Sequence, residues 1–320
     1  MARTSRYAPD RGLTVRMTVT MFLLGLVFVA FVALLIGIMT AVNASGAALV
    51  LVALIFGGGT ANISLFYSDK IALAAAGAVE VTPQQAPELH GIVDRLCALA
   101  DMDKPRVAIA PTQMPNAFAT GRNSKNSVLC VTEGLFNPRL GLEKEELEGI
   151  LAHELSHVAH KDVQVMTVAS LLAITAGLLV RFAFYSELFG GGRRSNDQNA
   201  FPVILVIMAV SAVVYAISFL LIRLLSRYRE LAADRSGALL TGQPSKLASA
   251  LQKVSSGMGR IPTEDLRTAQ PLNAFYFAPA MKLNGGASLS TLFSTHPSLE
   301  KRIEQLEKIQ RELGQAGPPQ

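Results

Sequence analysis

His153-Glu154-Leu155-Ser156-His157 is the part of this chain whose residue types and spacing can do chemistry. On a helix, positions i and i+4 share one face about one turn apart, so both imidazoles can converge on one metal ion. Glu154 then stands where a carboxylate can take a proton from a water activated by that ion. Taken alone, five residues are a moderate signal, because the pattern also arises by chance on helices whose histidines are merely solvated or packed. A catalytic zinc needs a third protein ligand and one open position. Glu230-Leu231-Ala232-Ala233-Asp234 supplies a candidate. Glu230 would be the third ligand. Asp234, one turn on along the same face, would accept the outer ring N–H of a ligating histidine. The plain alternative for this acidic pair is an ordinary helix surface, and only the histidine motif argues against it.

Other groups near the motif have simpler readings. His160 lies seven residues after His153, two turns along the same face, and could reach a metal only if His153 did not. It is read as complementing the helix-end charge. Asp162 either orients a neighbour or is a charge flanking a membrane. His90, on an amphipathic stretch, reads as solvated. Cys97 and Cys130 read as small buried hydrophobes that a reducing cytosol keeps as thiols.

The elements that position these residues are set by where charge is missing. Half of the residues are apolar and 17% are charged, and the charges avoid certain stretches. No Asp, Glu, Lys or Arg occurs over residues 17–68, 163–180 or 198–222. A bilayer core of about 30 Å takes about 20 apolar residues per helix. Four transmembrane helices are therefore expected, near 17–41, 46–67, 163–184 and 201–223. Asn43-Ala44-Ser45-Gly46 marks the turn within the first pair. A cleaved secretory signal is the rival reading of the N-terminus, but the apolar run is longer than such signals use and a second span follows directly. Arg3, Arg6, Arg11 and Arg16 precede the first span, opposed by Asp10 alone, which puts the N-terminus inside. Arg193 and Arg194 in the expected outer loop work against this orientation.

The expected organisation is a transmembrane hairpin over 1–68, a first protease-domain segment over 69–162, a second transmembrane pair over 163–223 and a second protease-domain segment over 224–320. Two crossings return the chain to its starting side, so Glu154 and Glu230 can meet. His157 lies six residues before Val163 and Glu230 seven after Arg223, each roughly 9–11 Å from a span end. Outside the spans, helices are expected over 87–102, 143–160, 224–240, 244–256 and 299–313, and short strands over 106–110, 117–120 and 128–132. The fold class is a mainly α membrane protein with a cytosolic α+β zincin-like domain and a small sheet. No basic stripe with interleaved aromatics points to nucleic acid, and no P-loop points to a nucleotide.

The chain resembles the HtpX heat-shock membrane zinc metalloproteases, kin of the CAAX prenyl proteases, over nearly all of its length. The resemblance rests on the paired N-terminal spans and on Asn116-Ala117-Phe118-Ala119-Thr120-Gly121. It also includes the histidine motif followed by two spans, Arg229-Glu230-Leu231-Ala232-Ala233-Asp234, and Ser294-Thr295-His296-Pro297 with Arg302. It implies one Zn²⁺ per chain held by His153, His157 and Glu230, with Glu154 as catalytic base. It further implies that Asn116, Ala117, Phe118 and Ala119 lie on an edge strand that pairs with extended substrate. His296 and Arg302 match family positions that line the site and steady the transition state. By residue type alone, His296 before Pro297 would only mark a helix start. The implied function is ATP-independent cleavage of misfolded or damaged membrane proteins on the cytosolic face of a bacterial inner membrane. Rival readings are a CAAX-type prenyl-protein protease, which has more spans, a catalytically silent membrane scaffold, and a small transporter, against which the uncharged stretches argue. The loop 189–198 has no assigned role.

Overall fold

A computed structural model describes residues 11–41, 47–123, 125–190, 200–258 and 295–315. The expected loop 189–198, the turn 43–46 and the N-terminal arginines before Arg11 lie wholly or largely outside them. The described chain forms two compact units. One comprises the described residues of 11–14, 65–164 and 226–315 and carries the chemistry-bearing residues. The other comprises residues 15–64 and 165–225.

The first unit is built on a four-stranded sheet of β1 (Val79–Glu80), β2 (Arg106–Ala110), β3 (Ala117–Asn123) and β4 (Asn126–Thr132). The spatial order is β1-β2-β4-β3, with β2 parallel to β4 and β3 antiparallel to it. β4 is buried at every residue after Asn126, as Val128, Leu129, Cys130 and Val131 require, and β2 at Val107, Ala108 and Ala110. The tight connection between β3 and β4 leaves β3 at the edge. The two-residue β1 was missed in the sequence, because so short a pairing has no periodicity to read.

Two helices seal this sheet. In α3 (Pro87–Ala100) the proline sits in the first turn, where its missing N–H costs nothing, and Leu89, Ile92, Val93 and Leu96 form one buried stripe. His90, expected to be solvated, is buried on that helix, and its Nε2 lies 3.0 Å from the Val81 carbonyl oxygen. The nearby β1 connection supplies this acceptor, which a helical pattern alone cannot reveal.

Next comes α4 (Lys144–Ala159), which carries the histidine motif. A capping box of Glu143 and Glu146 satisfies its first N–H groups. Glu146 also accepts from Ser249 Oγ at 2.6 Å and Lys253 Nζ at 2.7 Å on a later helix, Pro244–Met258. Burial would raise the Glu146 carboxyl. The Glu143 backbone N–H, then Lys253 and Ser249, outweigh it and hold the group below its ordinary range.

At His160–Lys161 the chain breaks step, Lys161 taking a left-handed φ of 56°, and α5 (Asp162–Gly190) begins. The return helix α6 (Ala200–Thr241) joins what the sequence divides into a span and a separate helix. The physical reason is plain: no Gly or Pro occurs between Pro202 and Gly237 to interrupt it. The Pro244–Met258 helix is α7, and α8 (Leu299–Gln315) packs on it.

Most of α1 (Arg11–Ala41), the first part of α2 (Ala47–Ala76), most of α5 and the first part of α6 make up the second unit, and the described residues of the four stretches expected to span are helical. Leu24, Phe31, Leu35, Ala169, Ala176 and Val214 bury one side. Phe22, Val29, Val168 and Val213 are exposed, an arrangement suited to lipid rather than water. Among the described residues, Arg11–Gly37 and Leu205–Thr241 are long and apolar enough to cross a membrane.

One contact decides how closely α6 can approach the histidine motif. A side chain at Gly237 would stand 2.9 Å from the backbone nitrogen of His153 and 3.1 Å from its Cα. Both neighbours belong to helix backbone and cannot swing aside. Gly237→Ala should therefore lower stability by about 1–3 kcal/mol through overpacking, although alanine is the better helix former by about 1 kcal/mol. Thermal unfolding in detergent measures this, and an unchanged or raised midpoint would refute the close crossing.

Candidate metal centre

The α4–α6 crossing brings together residues 73 or more positions apart in sequence, from His157 to Glu230. His153, His157 and Glu230 each present one ligand atom to the others within 4.8 Å. His153 Nε2 and His157 Nε2 are 3.2 Å apart, and Glu230 oxygens lie 3.8 and 3.5 Å from them. Ligand atoms held tetrahedrally at about 2.0–2.1 Å from zinc are about 3.3 Å apart, close to this triangle.

Proton placement makes the case stronger. A carboxylate can only accept, so a ring nitrogen beside one carries the hydrogen. His153 Nδ1 lies 2.9 Å from Asp234 Oδ1, and His157 Nδ1 lies 2.5 Å from Asp162 Oδ2. Both Nε2 atoms therefore turn bare lone pairs toward each other and toward an anionic carboxylate. Such a set repels itself unless a cation sits among it. Burial lowers both imidazoles to about 4, with Asp234 opposing this at His153 and Glu230 at His157. Neutral imidazoles and an ionised carboxylate are what a zinc ion needs. Burial would raise the Glu230 carboxyl. His296, whose Nδ1 lies 2.9 Å from Oε2, outweighs it together with His157 and His153, and holds the group below its usual range.

Glu154 is buried beside this triangle, and its Oε2 accepts the Ala119 N–H at 2.9 Å. Burial and then the Glu230 charge push this carboxyl well above its ordinary range, while the Ala119 N–H opposes them. In its ionised form, a carboxyl shifted this way is a stronger base than a solvated one.

Arg302 is 2% exposed and grips Asp234 with both ends of its fork, Nε to Oδ2 at 2.7 Å and Nη2 to Oδ1 at 2.6 Å. Its Nη1 lies 3.8 Å from Glu230. His296 and Arg302 thus both face ligand-side carboxylates in this structure. Of the four residues expected on the substrate strand, Asn116, Ala117 and Phe118 are buried. The Asn116 side chain accepts from the Ala117 N–H at 3.0 Å, while Thr132 clasps the Asn116 backbone. Ala119 is the partly exposed one. His160 lies apart from the triangle, its Nε2 3.5 Å from Ser236 Oγ. Cys97 and Cys130 are buried free thiols, raised by burial to about 11 and 12, as small inert hydrophobes would be. Sequence reading left Asp162 undecided and gave Arg229 no separate role. Their signal was weak, because charged residues beside an apolar stretch usually need no partner.

Peptidase family M48 matches residues 83–310. The chain is 59% identical over 315 residues to Protease HtpX homolog 1 of Streptomyces coelicolor, covering 98% of each protein. It is 48% identical to a Protease HtpX homolog of Moorella thermoacetica, covering 95% of this chain and 96% of the relative. It is 47% identical to Protease HtpX homolog 2 of Methanosarcina mazei, covering 96% and 99%. The chain belongs to the HtpX proteases of peptidase family M48. It is a membrane-associated metalloprotease, and its family implies a metal ion, typically zinc.

The triangle makes a direct demand on metal content. Glu230→Ala should cut zinc occupancy of the purified protein severely, since two protein ligands hold a catalytic ion poorly. His160→Ala should leave occupancy unchanged. Elemental analysis reads both, and full zinc in Glu230→Ala beside loss in His160→Ala would exchange the assignments.

Proposed function

We propose that this protein is a zinc endopeptidase that cleaves extended segments of misfolded or damaged membrane proteins at the cytosolic face of a bacterial inner membrane, without ATP. The observation that carries this reading is the convergence of two imidazole lone pairs and Glu230 beside Glu154, which is itself hydrogen-bonded to an edge strand. His153, His157 and Glu230 would hold the zinc. When bound, the ion supplies Lewis acidity to the attacking water and to the scissile carbonyl.

The remaining work falls to side chains. Glu154 takes the proton of the attacking water at its carboxylate and delivers it to the leaving amine nitrogen. Asp234 holds His153 in the tautomer that leaves Nε2 bare, with Arg302 fixing Asp234. His296, through a ring N–H, and Arg302, through its guanidinium charge, are assigned to steadying the developing oxyanion, as the family resemblance implies. Substrate lies extended along the outer edge of β3, residues 116–119, through main-chain hydrogen bonds, so selectivity by side chain is loose. Ala119 contributes most directly, since its N–H already reaches the base.

The proposed topology has four spans, near 17–41, 46–67, 163–184 and 201–223, with both termini and the metal centre cytosolic. The arginines before the first span support that orientation. The protease domain is then assembled from 69–162 and 224–320. Four spans leave little room for the enclosed, lipid-accessible chamber that a prenyl-protein protease would use.

Two measurements test this reading. Glu154→Gln should keep zinc and fold yet lose at least about a hundredfold in the rate of casein cleavage; near-normal cleavage would remove Glu154 from its role. A labelling scan with a membrane-impermeant thiol reagent tests the topology. Cysteines introduced at Lys125 and Ser245, both exposed in the first unit, should be shielded in intact cells. Cysteines at Ser45 and Ser195 should react. Labelling at Lys125 in intact cells would overturn the cytosolic placement, and silence at Ser195 with reaction at Ser45 would turn the second pair into a re-entrant hairpin.

A further inference from the structure

The two histidines of the triangle are backed in the same way. His153 Nδ1 faces Asp234, which is gripped by Arg302. The arrangement recurs at the second histidine with different residues. His157 Nδ1 lies 2.5 Å from Asp162 Oδ2, and the other Asp162 oxygen is in contact with the Arg229 guanidinium. Asp162 and Arg229 are both buried. A buried arginine beside a buried aspartate offsets part of its lost hydration, and removing either one leaves the other charge uncompensated.

Their positions in the chain explain why this pair can act on the centre. Asp162 is the first residue of α5, delivered beside His157 by the left-handed turn at Lys161. Arg229 immediately precedes Glu230 on α6. One carboxylate thus touches His157 of α4, and its counter-charge adjoins Glu230 of α6.

We propose that Asp162 and Arg229 are a positioning pair for the metal centre: Asp162 fixes the His157 ring with Nε2 bare and aimed at the ion, and Arg229 holds Asp162 in place. This rests on the reading of His153, His157 and Glu230 as the zinc ligands. Neither residue touches substrate or reacting atoms. Their effect passes through the orientation and basicity of one imidazole, and so appears in how tightly and in what geometry metal is held.

The test uses the full-length protein in detergent, with zinc affinity from competition against a chromogenic chelator and the visible absorption spectrum of the cobalt-substituted protein. Asp162→Ala should weaken zinc about tenfold to a hundredfold and alter the cobalt spectrum. Asp162→Asn, which keeps an oxygen to accept the Nδ1–H but loses the charge, should weaken zinc less and serves if the alanine variant does not fold. Arg229→Gln should weaken zinc less than Asp162→Ala and add little in the Asp162→Ala background, because it acts through Asp162. Wild-type zinc affinity and cobalt spectrum in the Asp162 variants, even with a lowered melting temperature, would mean a purely structural clamp and overturn the proposal. An undiminished Arg229→Gln effect in the Asp162→Ala background would overturn the order of action. Failure of the ligand set itself looks different: His157→Ala would bind zinc as the wild type does.

Discussion

Glu154, Glu230, Asp234 and Asp162 are all buried around two imidazoles, and that concentration of negative charge governs the first unit of this protein. An isolated buried carboxylate is costly enough to take up a proton instead of staying charged. Here each has a specific counterpart. Arg302 takes Asp234 through both arms of its fork, Arg229 meets Asp162, and His296 donates to Glu230. Glu154 accepts a backbone N–H, and burial followed by the Glu230 charge pushes its carboxyl well upward against that N–H and the more distant Arg302. The acids therefore differ in what they can do. Glu230 and Asp234 are held as anions that set geometry, Asp162 is tied to its histidine and arginine, and Glu154 is left able to carry a proton.

That balance depends on helices that approach unusually closely. The carboxylates come mostly from α6 and the start of α5, and the imidazoles from α4. Gly237 allows the α6 backbone to lie against His153, which brings Glu230 within reach of both rings. The opposite face of α4 is packed as core, with Leu151 and Leu155 buried beside the helix α7 that ties Glu146. One helix thus spends alternate faces on packing and on chemistry. Its rigidity as a core element keeps the histidine rings from drifting. The edge strand is joined to the same centre by a hydrogen bond from the Ala119 N–H to Glu154. β3 pairs with β4 on one side only, so it forms an edge of the described sheet.

Much of this was legible in the residues. Spacing of four placed His153 and His157 on one helical face, and charge-free stretches marked the helices now seen over 11–41, 47–76, 162–190 and 200–241. Strands β2, β3 and β4 followed from β-branched and apolar runs between turns. The same local rules misplaced His90, because helical periodicity cannot know which carbonyl a neighbouring connection will offer. They also split α6 in two, because hydropathy changes at Arg223 while helix propensity does not.

What the sequence determined by itself is whatever depends on neighbours within a turn or two: the histidine pair, the capping of α4, the apolar lengths of the helices and the chemical character of the motif. What tertiary structure decided is everything that needs residues from different elements to meet. Asp234 could have been a surface acid, Asp162 a flanking charge, and Arg302 one more cation on an amphipathic helix. Each acquired its partner only when α4, α6 and α8 packed together. A buried charge is defined by the counter-charge that reaches it, and distance along the chain carries no record of that contact.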